Sequence, residues 1–465
     1  MDRPLGSFET ALTLTGEHAP FVVVIVLRLG TGPSPGRLRS ALDALQTCQP
    51  MLRVRIAHNA GRSARYRFES EGVPEIPVRQ VTRRDEITWR RETEDELAQS
   101  LDTASGPLVR CVYVAPGDGD GACDGDGACE ILLTFHHTVM DATSGAALLR
   151  QLLALLDPEA DPQAPPQSPP PSEAQTPALF PVVEERVPAP YRGLRGAARL
   201  AGFLARQIGD EVRFRWRSRG LRRPPIVEPA HCRILPVELS AEASAALVRA
   251  LRRERVTVNA ALCAALLIAV HRQLYDGRPR PLRYLTFADL RPYLQPPIVE
   301  DRLGCAITML RYTAELEAIQ EGPAEPGCGF WPLAHSISRQ VDAGVRRGDR
   351  FFSMAMSERL MRTILRRRSE RMAATAVSFS GVMRLDDPST KERDLVRSSH
   401  AFVSNLGLGP EYSAQGRWFR DRLQLDMVYL ESDLDEVGAQ TVADDVLRAL
   451  ERAGEVEGSP REEAR

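Results

Sequence analysis

The chain has 465 residues, 43% of them hydrophobic and 26% charged, which is enough for two domains that each bury a core. A formal net charge of −2 gives no global attraction to nucleic acid. Lys391 is the sole lysine and lies between Thr390 and Glu392, which excludes a GxxxxGK[ST] phosphate loop and leaves only a solvated candidate for a Schiff base.

In chain order, the N-terminal "MDRPLGSFETALTL" lacks the apolar core of a secretory signal. "PFVVVIVLRLG" is β-branched and reads as a buried strand. In "SPGRLRSALDALQTC" apolar residues recur at helical spacing (Leu38, Leu42, Leu45) behind a Ser34-Pro35 start. "MLRVRIAH" and "RYRFES" suggest a hairpin, and "DEITWRRETEDELAQSL" a polar helix. "PLVRCVYVA" and "EILLTF" read as strands joined by the repeat DGDGACDGDGAC. "SGAALLRQLLALL" is an amphipathic helix with Asp141 or Thr143 near its cap.

Residues 157–193 are so rich in proline that they read as a semi-extended linker between an N-terminal unit, 1–156, and a C-terminal unit, 194–454. Beyond it, "AARLAGFLARQIGDEVRFRWRSRG" predicts a basic helix and "HCRILPVEL" a strand. A helix capped by Ser240 and a buried one started by Thr257 or Asn259 follow. Further strands are expected at "RPLRYLTFADLRPYL", "GCAITMLRYTAEL", "ATAVSFSGV", "AFVSNLGLG" and "RLQLDMVYL", with helices at "MSERLMRTILRRRSERMAA" and "DEVGAQTVADDVLRALERAG". Residues 455–465 read as a disordered tail. Mixed elements on both sides of the linker predict two α/β layered domains. The eight cysteines contain no CxxC pair, which argues against zinc ribbons and thioredoxin-like sites, and no apolar run is long enough to cross a bilayer. We expect a cytoplasmic protein.

The chemistry concentrates at "FHHTVMDATSG". His136 and His137 end a strand, so their side chains point to opposite faces and one can enter a cleft. A cleft histidine is a competent general base near neutral pH. No GxSxG elbow supplies a protein nucleophile, so the base would act directly on a substrate hydroxyl or amine. Metal ligation is the rival reading, but neighbouring strand residues diverge and no second histidine cluster completes a site; no metal is expected. His18, His58, His231, His271, His335 and His400 lack such surroundings and read as ordinary structural histidines. The DGDGAC repeat lacks the closing glutamate of a calcium loop and reads as a lengthened turn.

"HHTVMDA" resembles the HHxxxDG motif of the condensation-domain and acyltransferase superfamily, with Ala142 in place of the final glycine. "LRSALDALQTCQPMLRVRI" is similar to that family's RHPxLRxR segment, with Cys48-Gln49 replacing Arg-His. "SGPLVRCVYV", "FADLRPYL", "LGCAITM" and "VSNLG" resemble strings of its alcohol and polyketide-associated branch, in the same order along nearly the whole chain. The resemblance implies two chloramphenicol-acetyltransferase-like halves that meet in a V around a central tunnel. It implies an acyltransferase that moves an acyl group from a thioester to a hydroxyl acceptor, in secondary-metabolite or lipid biosynthesis.

On that resemblance the catalytic residues are His137, the general base, with His136 and Asp141, the latter as a structural carboxylate. Arg53 is the expected partner of Asp141, chosen over Arg55, and Ala142 is read as a tolerated change. Ser380 and Asn405 are oxyanion candidates. No bound cofactor is expected; acyl-CoA or a phosphopantetheinyl acyl carrier protein would be co-substrate. Arginine-rich "RFRWRSRGLRR" and "RTILRRRSER", the latter with Arg366 and Arg367, are either solvated faces or docking sites for the carrier or coenzyme A phosphates. A monomer would suffice, because both halves of the site lie in one chain. The alternatives are an amide-forming condensation enzyme and a catalytically silent module, the latter suggested by Ala142 and Cys48-Gln49.

Overall fold

A computed structural model of the chain describes residues 2–59, 65–117, 127–156, 178–219, 231–275, 277–299, 301–318, 329–367, 371–383, 385, 396–404 and 408–455. Among them the chain forms fourteen strands and ten α-helices in a mixed α/β arrangement. The repeat at 118–126, residues 157–177 of the expected linker, Asn405 and the tail from residue 456 lie outside the described residues.

A small sheet of β1 (Arg3–Pro4), β4 (Arg65–Glu69) and β3 (Arg55–Asn59) stands beside a five-stranded sheet. The latter runs β12 (Val396–Val403), β2 (Val22–Leu29), β7 (Cys129–His136), β6 (Val109–Ala115) and β5 (Val78–Thr82). β6 and β7 pair antiparallel as expected, and β2 pairs antiparallel with β7, setting Val22 opposite His136. The second large sheet has six strands. Its order is β10 (Ile307–Leu316), β9 (Arg280–Asp289), β11 (Thr375–Val382), β13 (Tyr412–Phe419), β14 (Arg422–Leu430) and β8 (Cys232–Glu238).

The run "FVVVIVL" does not alternate because β2 is covered on both faces. Val23, Ile25, Leu27 and Leu29 enter the main N-terminal core with α2 (Pro35–Cys48) and α4 (Ala142–Leu156). Val22, Val24 and Val26 pack instead with Trp89 and Leu97 of α3 (Thr88–Leu97) and with Ile234, Val428 and Leu430 of the six-stranded sheet. This layer joins the halves, and each fully buried aliphatic side chain in it contributes about 1.5–3 kcal/mol.

The helices of the second half cover the six-stranded sheet: α6 (Ala241–Glu254), α7 (Val258–Leu274), α8 (Phe330–Arg347) and α10 (Glu436–Glu455). Ser240 and Thr257 cap α6 and α7 through their hydroxyls. α9 (Asp349–Arg367) packs against α1 (Ser7–His18) of the first half.

Two expectations about the halves need correction. The segment 178–191 is no extended tether: Leu179, Phe180, Val183 and Val187 are buried in the N-terminal core, and the segment makes short 3-10 turns at Val183–Arg186 and Ala189–Tyr191. Nor do the halves divide at one boundary. β12 completes the N-terminal sheet, and Leu290, Leu294, Ile298, Leu303 and Ala306 belong to the N-terminal core. After the linker, the expected basic helix is α5 (Gly193–Arg217).

Candidate active site

β7 ends at His136, and the pleat sends the two histidines apart. His136 is buried against α1: a Cβ on Gly16 would stand 2.7 Å from its Nε2, so a glycine is needed there. Its Nδ1 meets the Thr138 hydroxyl at 2.8 Å. Burial, and secondarily His137, pushes its pKa down to about 3, so it is neutral. His136 does not line the cavity, and this corrects its inclusion among the reacting groups.

His137 lines that cavity. Its Nδ1 lies 3.0 Å from the Met140 carbonyl, which only accepts, so Nδ1 carries the proton and Nε2 the free lone pair. Phe21 stacks on the ring at 5.6 Å between centroids. Burial lowers the His137 pKa, keeping the imidazole neutral at physiological pH.

Asp141 caps α4. Its Oδ1 accepts from the Ser144 amide at 3.0 Å, while the Ser144 hydroxyl accepts from the Asp141 amide at 3.2 Å. The partner of its other oxygen is Arg291, not Arg53. Arg291 Nη1 donates to Oδ2 at 2.8 Å, and the Ala306 amide donates to the same oxygen at 2.8 Å. Arg291 and Asp141 are 2% and 0% exposed, so the pair is wholly desolvated. Burial opposes the Arg291 charge, but the attraction of Asp141 and Asp289 more than offsets it and raises its pKa. Arg53 ends a 3-10 turn at Pro50–Arg53, close to Cys48. Arg55 pairs with Glu69 at 2.9 Å.

The pair is one strand of a wider latch between the halves. Arg291 Nη2 and the Ser144 hydroxyl both donate to the Gly304 carbonyl at 2.9 Å. The Thr143 hydroxyl donates to Asp289 Oδ2 at 3.1 Å, and the Arg291 amide to Asp289 Oδ1 at 2.9 Å. The Phe180 ring lies so close to Gly304 that a Cβ there would stand 2.1 Å from it. Gln49 belongs to the same seam: its Nε2 donates to Gln151 Oε1 at 2.9 Å and to the Asp301 carbonyl at 3.3 Å.

Ala142 is the first residue of α4 and lines the cavity, without the positive φ that would call for glycine. Asp141 keeps all its partners beside it. Ser380, on β11, lines the cavity from the other half, its hydroxyl donating to the Gly416 carbonyl at 3.3 Å. Arg366 is exposed on the last turn of α9; the side chain of Arg367 lies outside the description.

The cavity offers about 190 Å³ to solvent-sized molecules and is walled by both halves. Phe8, Leu12 and Ile25 face Phe287, Met309 and Leu360 across it. On the wall itself Arg417 pairs with Asp426 at 2.5 Å, and Asp426 takes a bond from His400 Nδ1 at 2.8 Å. His400, stacked on Trp89, is thus a satisfied structural histidine. Among the described residues no three His, Cys, Asp or Glu side chains cluster to hold a metal. No single helix among them is long and apolar enough to cross a membrane.

Residues 228–413 match the family described as the phthiocerol/phthiodiolone dimycocerosyl transferase C-terminus. The trichothecene 15-O-acetyltransferase TRI3 of Fusarium sporotrichioides superimposes with a TM-score of 0.70 at 14% identity, over 97% of this chain and 95% of that one. Polyketide synthase associated protein 5 of Mycobacterium tuberculosis gives 0.65 at 16%, over 98% and 100%. The chain has the fold of the condensation-domain and acyltransferase superfamily. Within that superfamily, the first condensation domain of the CDA synthetase also superimposes, with a TM-score of 0.65 at 15% identity over 99% of this chain and 98% of that domain. In sequence, 134 residues are 32% identical to phosphinothricin tripeptide synthetase PhsC of Streptomyces viridochromogenes; they make up 28% of this chain and span 12% of that synthetase. The acyltransferase-type fold thus brings His137, Asp141, Ala142 and Ser380 to one cavity and leaves His136 and Arg53 outside it. Sequence reasoning missed Arg291 as the ion-pair partner, although it lies in the quoted "DLRP" string.

Proposed function

We propose that the chain is a thioester-dependent acyltransferase with a hydroxyl acceptor and His137 as its general base. The observation that carries this reading is the single engaged nitrogen of His137, Nδ1 on the Met140 carbonyl, with the imidazole in a cavity whose walls are mostly apolar. His137 Nε2 takes the acceptor's proton as its oxygen attacks the thioester carbonyl carbon. The tetrahedral adduct collapses, the C–S bond breaks, and the imidazolium returns the proton to the thiolate, leaving ester and free thiol. Ser380 is the candidate donor to the transient oxyanion. The donor is acyl-CoA or an acyl group on a separate carrier protein, and the apolar walls suit an apolar acyl group.

An amide-forming reaction is the second reading, favoured by the stretch similar to the tripeptide synthetase. Thiol release from a panel of acyl-CoA donors, with alcohol and amine acceptors, tests both readings on the wild type and on His137→Ala. Faster turnover with alcohols, lost in the variant, supports the first reading. Faster turnover with amines transfers the assignment to the second, and equal turnover in both proteins removes His137 from the chemistry.

A further inference from the structure

α5 carries two apolar stripes where a surface helix needs one. The inward stripe is explained: Phe203 and Phe214 are buried against the second half, and Glu211 on that side pairs with Arg283 at 2.6 Å. The outward stripe packs on nothing among the described residues. Leu194, Ile208, Val212 and Trp216 are 91%, 63%, 61% and 75% exposed, and Ala198, Ala201 and Ala205 continue the line between them. Spaced three or four residues apart, they form one continuous strip over a 25-residue helix about 37 Å long.

Beside that strip lies a ridge of arginines. At 3.6 residues per turn, Arg195, Arg199, Arg206, Arg213 and Arg217 align along one edge. Arg206 and Arg217 reach Asp349 and Glu315, and Arg199 sits over Tyr191. Arg195 and Arg213 have no ion-pair partner among the described residues. Residues 213–219, "RFRWRSR", hold four arginines around the exposed Trp216. The occupant must therefore be apolar at its centre, anionic beside it, and flat enough to touch Leu194 and Trp216 together. A second copy would bring its own arginine ridge against this one, and like charges oppose that pairing.

We propose that α5 is a peripheral membrane-docking helix that lies in the surface of an anionic bilayer. Trp216 and the aliphatic strip enter the boundary between headgroups and acyl chains, and the arginine ridge meets the lipid phosphates. The alanines make the strip shallow, so the association is reversible. A second cleft gives the orientation a use, and this step rests on the acyl-transfer reading. The cleft lies between Phe203 and Leu204 of α5, β10 and α9, and it shares Met309, Ser353 and Leu360 with the reaction cavity. This cleft lies under the inward face of α5, opposite the strip, so the helix that the bilayer holds also borders a route by which an apolar substrate could reach His137.

The test is co-sedimentation of the full chain with vesicles of equimolar phosphatidylglycerol and phosphatidylcholine, against phosphatidylcholine alone. The wild type binds the anionic vesicles at least about tenfold more strongly, and salt weakens the binding. Ile208→Glu/Trp216→Glu, at two exposed positions, lowers anionic binding at least about tenfold with an unchanged thermal melt. Arg213→Ser lowers it about fivefold. Trp216→Phe retains binding but abolishes the blue shift of tryptophan emission on adding vesicles. The proposal is overturned if the wild type stays in the supernatant, or if the double variant binds as well as the wild type. A solution mass of two copies that the double variant reduces to one also overturns it, by assigning the strip to a second copy. None of these measurements depends on turnover, so failure of the acyl-transfer reading remains distinguishable.

Discussion

Arg291→Met tests whether the latch between the halves holds the catalytic loop. The substitution keeps the volume and apolar stem of the side chain but removes a guanidinium that is 2% exposed and 2.8 Å from a carboxylate that is 0% exposed. Removing one partner of a buried pair costs about 3–5 kcal/mol, mostly from stranding the other charge. Asp141 retains the amides of Ser144 and Ala306, so the loss belongs near the lower bound, about 3 kcal/mol. Asp141→Asn strands the guanidinium in turn, whereas Asp141→Asn/Arg291→Met leaves neither charge buried alone. Urea unfolding of the four proteins should give a coupling of at least about 1.5 kcal/mol, with the double variant more stable than the sum of the singles predicts. Arg53→Met, the control, should cost under about 1 kcal/mol, because Arg53 is away from Asp141. Thiol-release assays on the same proteins should show kcat falling with Arg291→Met, since His137 is oriented through Met140, the residue before Asp141. Additivity within about 0.5 kcal/mol would refute the latch.

Four further outcomes follow. His137→Ala should lower kcat about 10²–10⁴-fold, and the acid limb of the wild-type pH profile should lie below the ordinary histidine value, because burial lowers the His137 pKa. His136 has a folded-state pKa of about 3, below the unfolded value of about 6.5, so the unfolded chain takes up the proton first. Its contribution is complete above about pH 7.5 and is lost on acidification, by about 2 kcal/mol at pH 5; unfolding titrations should show a shallower slope in His136→Asn. Ala142→Gly should leave kcat within about twofold and lower stability by up to about 1 kcal/mol, since the position is helical; a large gain in rate would mean that Ala142 restricts the cavity. Arg366→Glu should raise KM for a carrier-bound donor and spare a small thioester, as measured by steady-state kinetics with both donors.

Much of this arrangement is legible in the residue order. The β-branched run at 22–29, the hairpin ending at the histidines and the caps at Ser240 and Thr257 are all local patterns, and local patterns survive folding. α1 is not legible for the opposite reason. Residues 9–15 are all buried, so polar Glu9, Thr10, Thr13 and Thr15 sit where an amphipathic pattern would demand apolar ones, and no stripe marks the helix. Glu9 is instead satisfied by Arg3, at 2.6 Å. Residues 178–191 are hidden by composition, since proline-rich sequence suggests an extended tether whether or not Phe180 finds a core.

Arg291 shows why the ion pair could not be read from the motif. Arg53 and Arg55 drew attention because their segment resembles the family's RHPxLRxR string, whereas Arg291 is 150 positions from Asp141, and nothing in local sequence ranks partners across that span. The physical signal is available only in hindsight: an arginine between Leu290 and Pro292 has little solvent to reach, so it must find a carboxylate. Of its two carboxylate partners among the described residues, Asp141 is the buried one, and the other oxygen of Asp141 is already fixed at the helix start. That double duty makes Asp141 a joint rather than a reagent. It holds the turn carrying His137 to α4 on one side and, on the other, to residues 291–306, which leave β9 of the six-stranded sheet and pack in the N-terminal core. A general base in a cavity walled by two halves needs such a joint, because a shift of about 1 Å between the walls would cost roughly a hundredfold in rate. On the proposed acyl-transfer reading, the aspartate of "HHTVMDA" would therefore act by fixing where the two walls stand relative to Nε2.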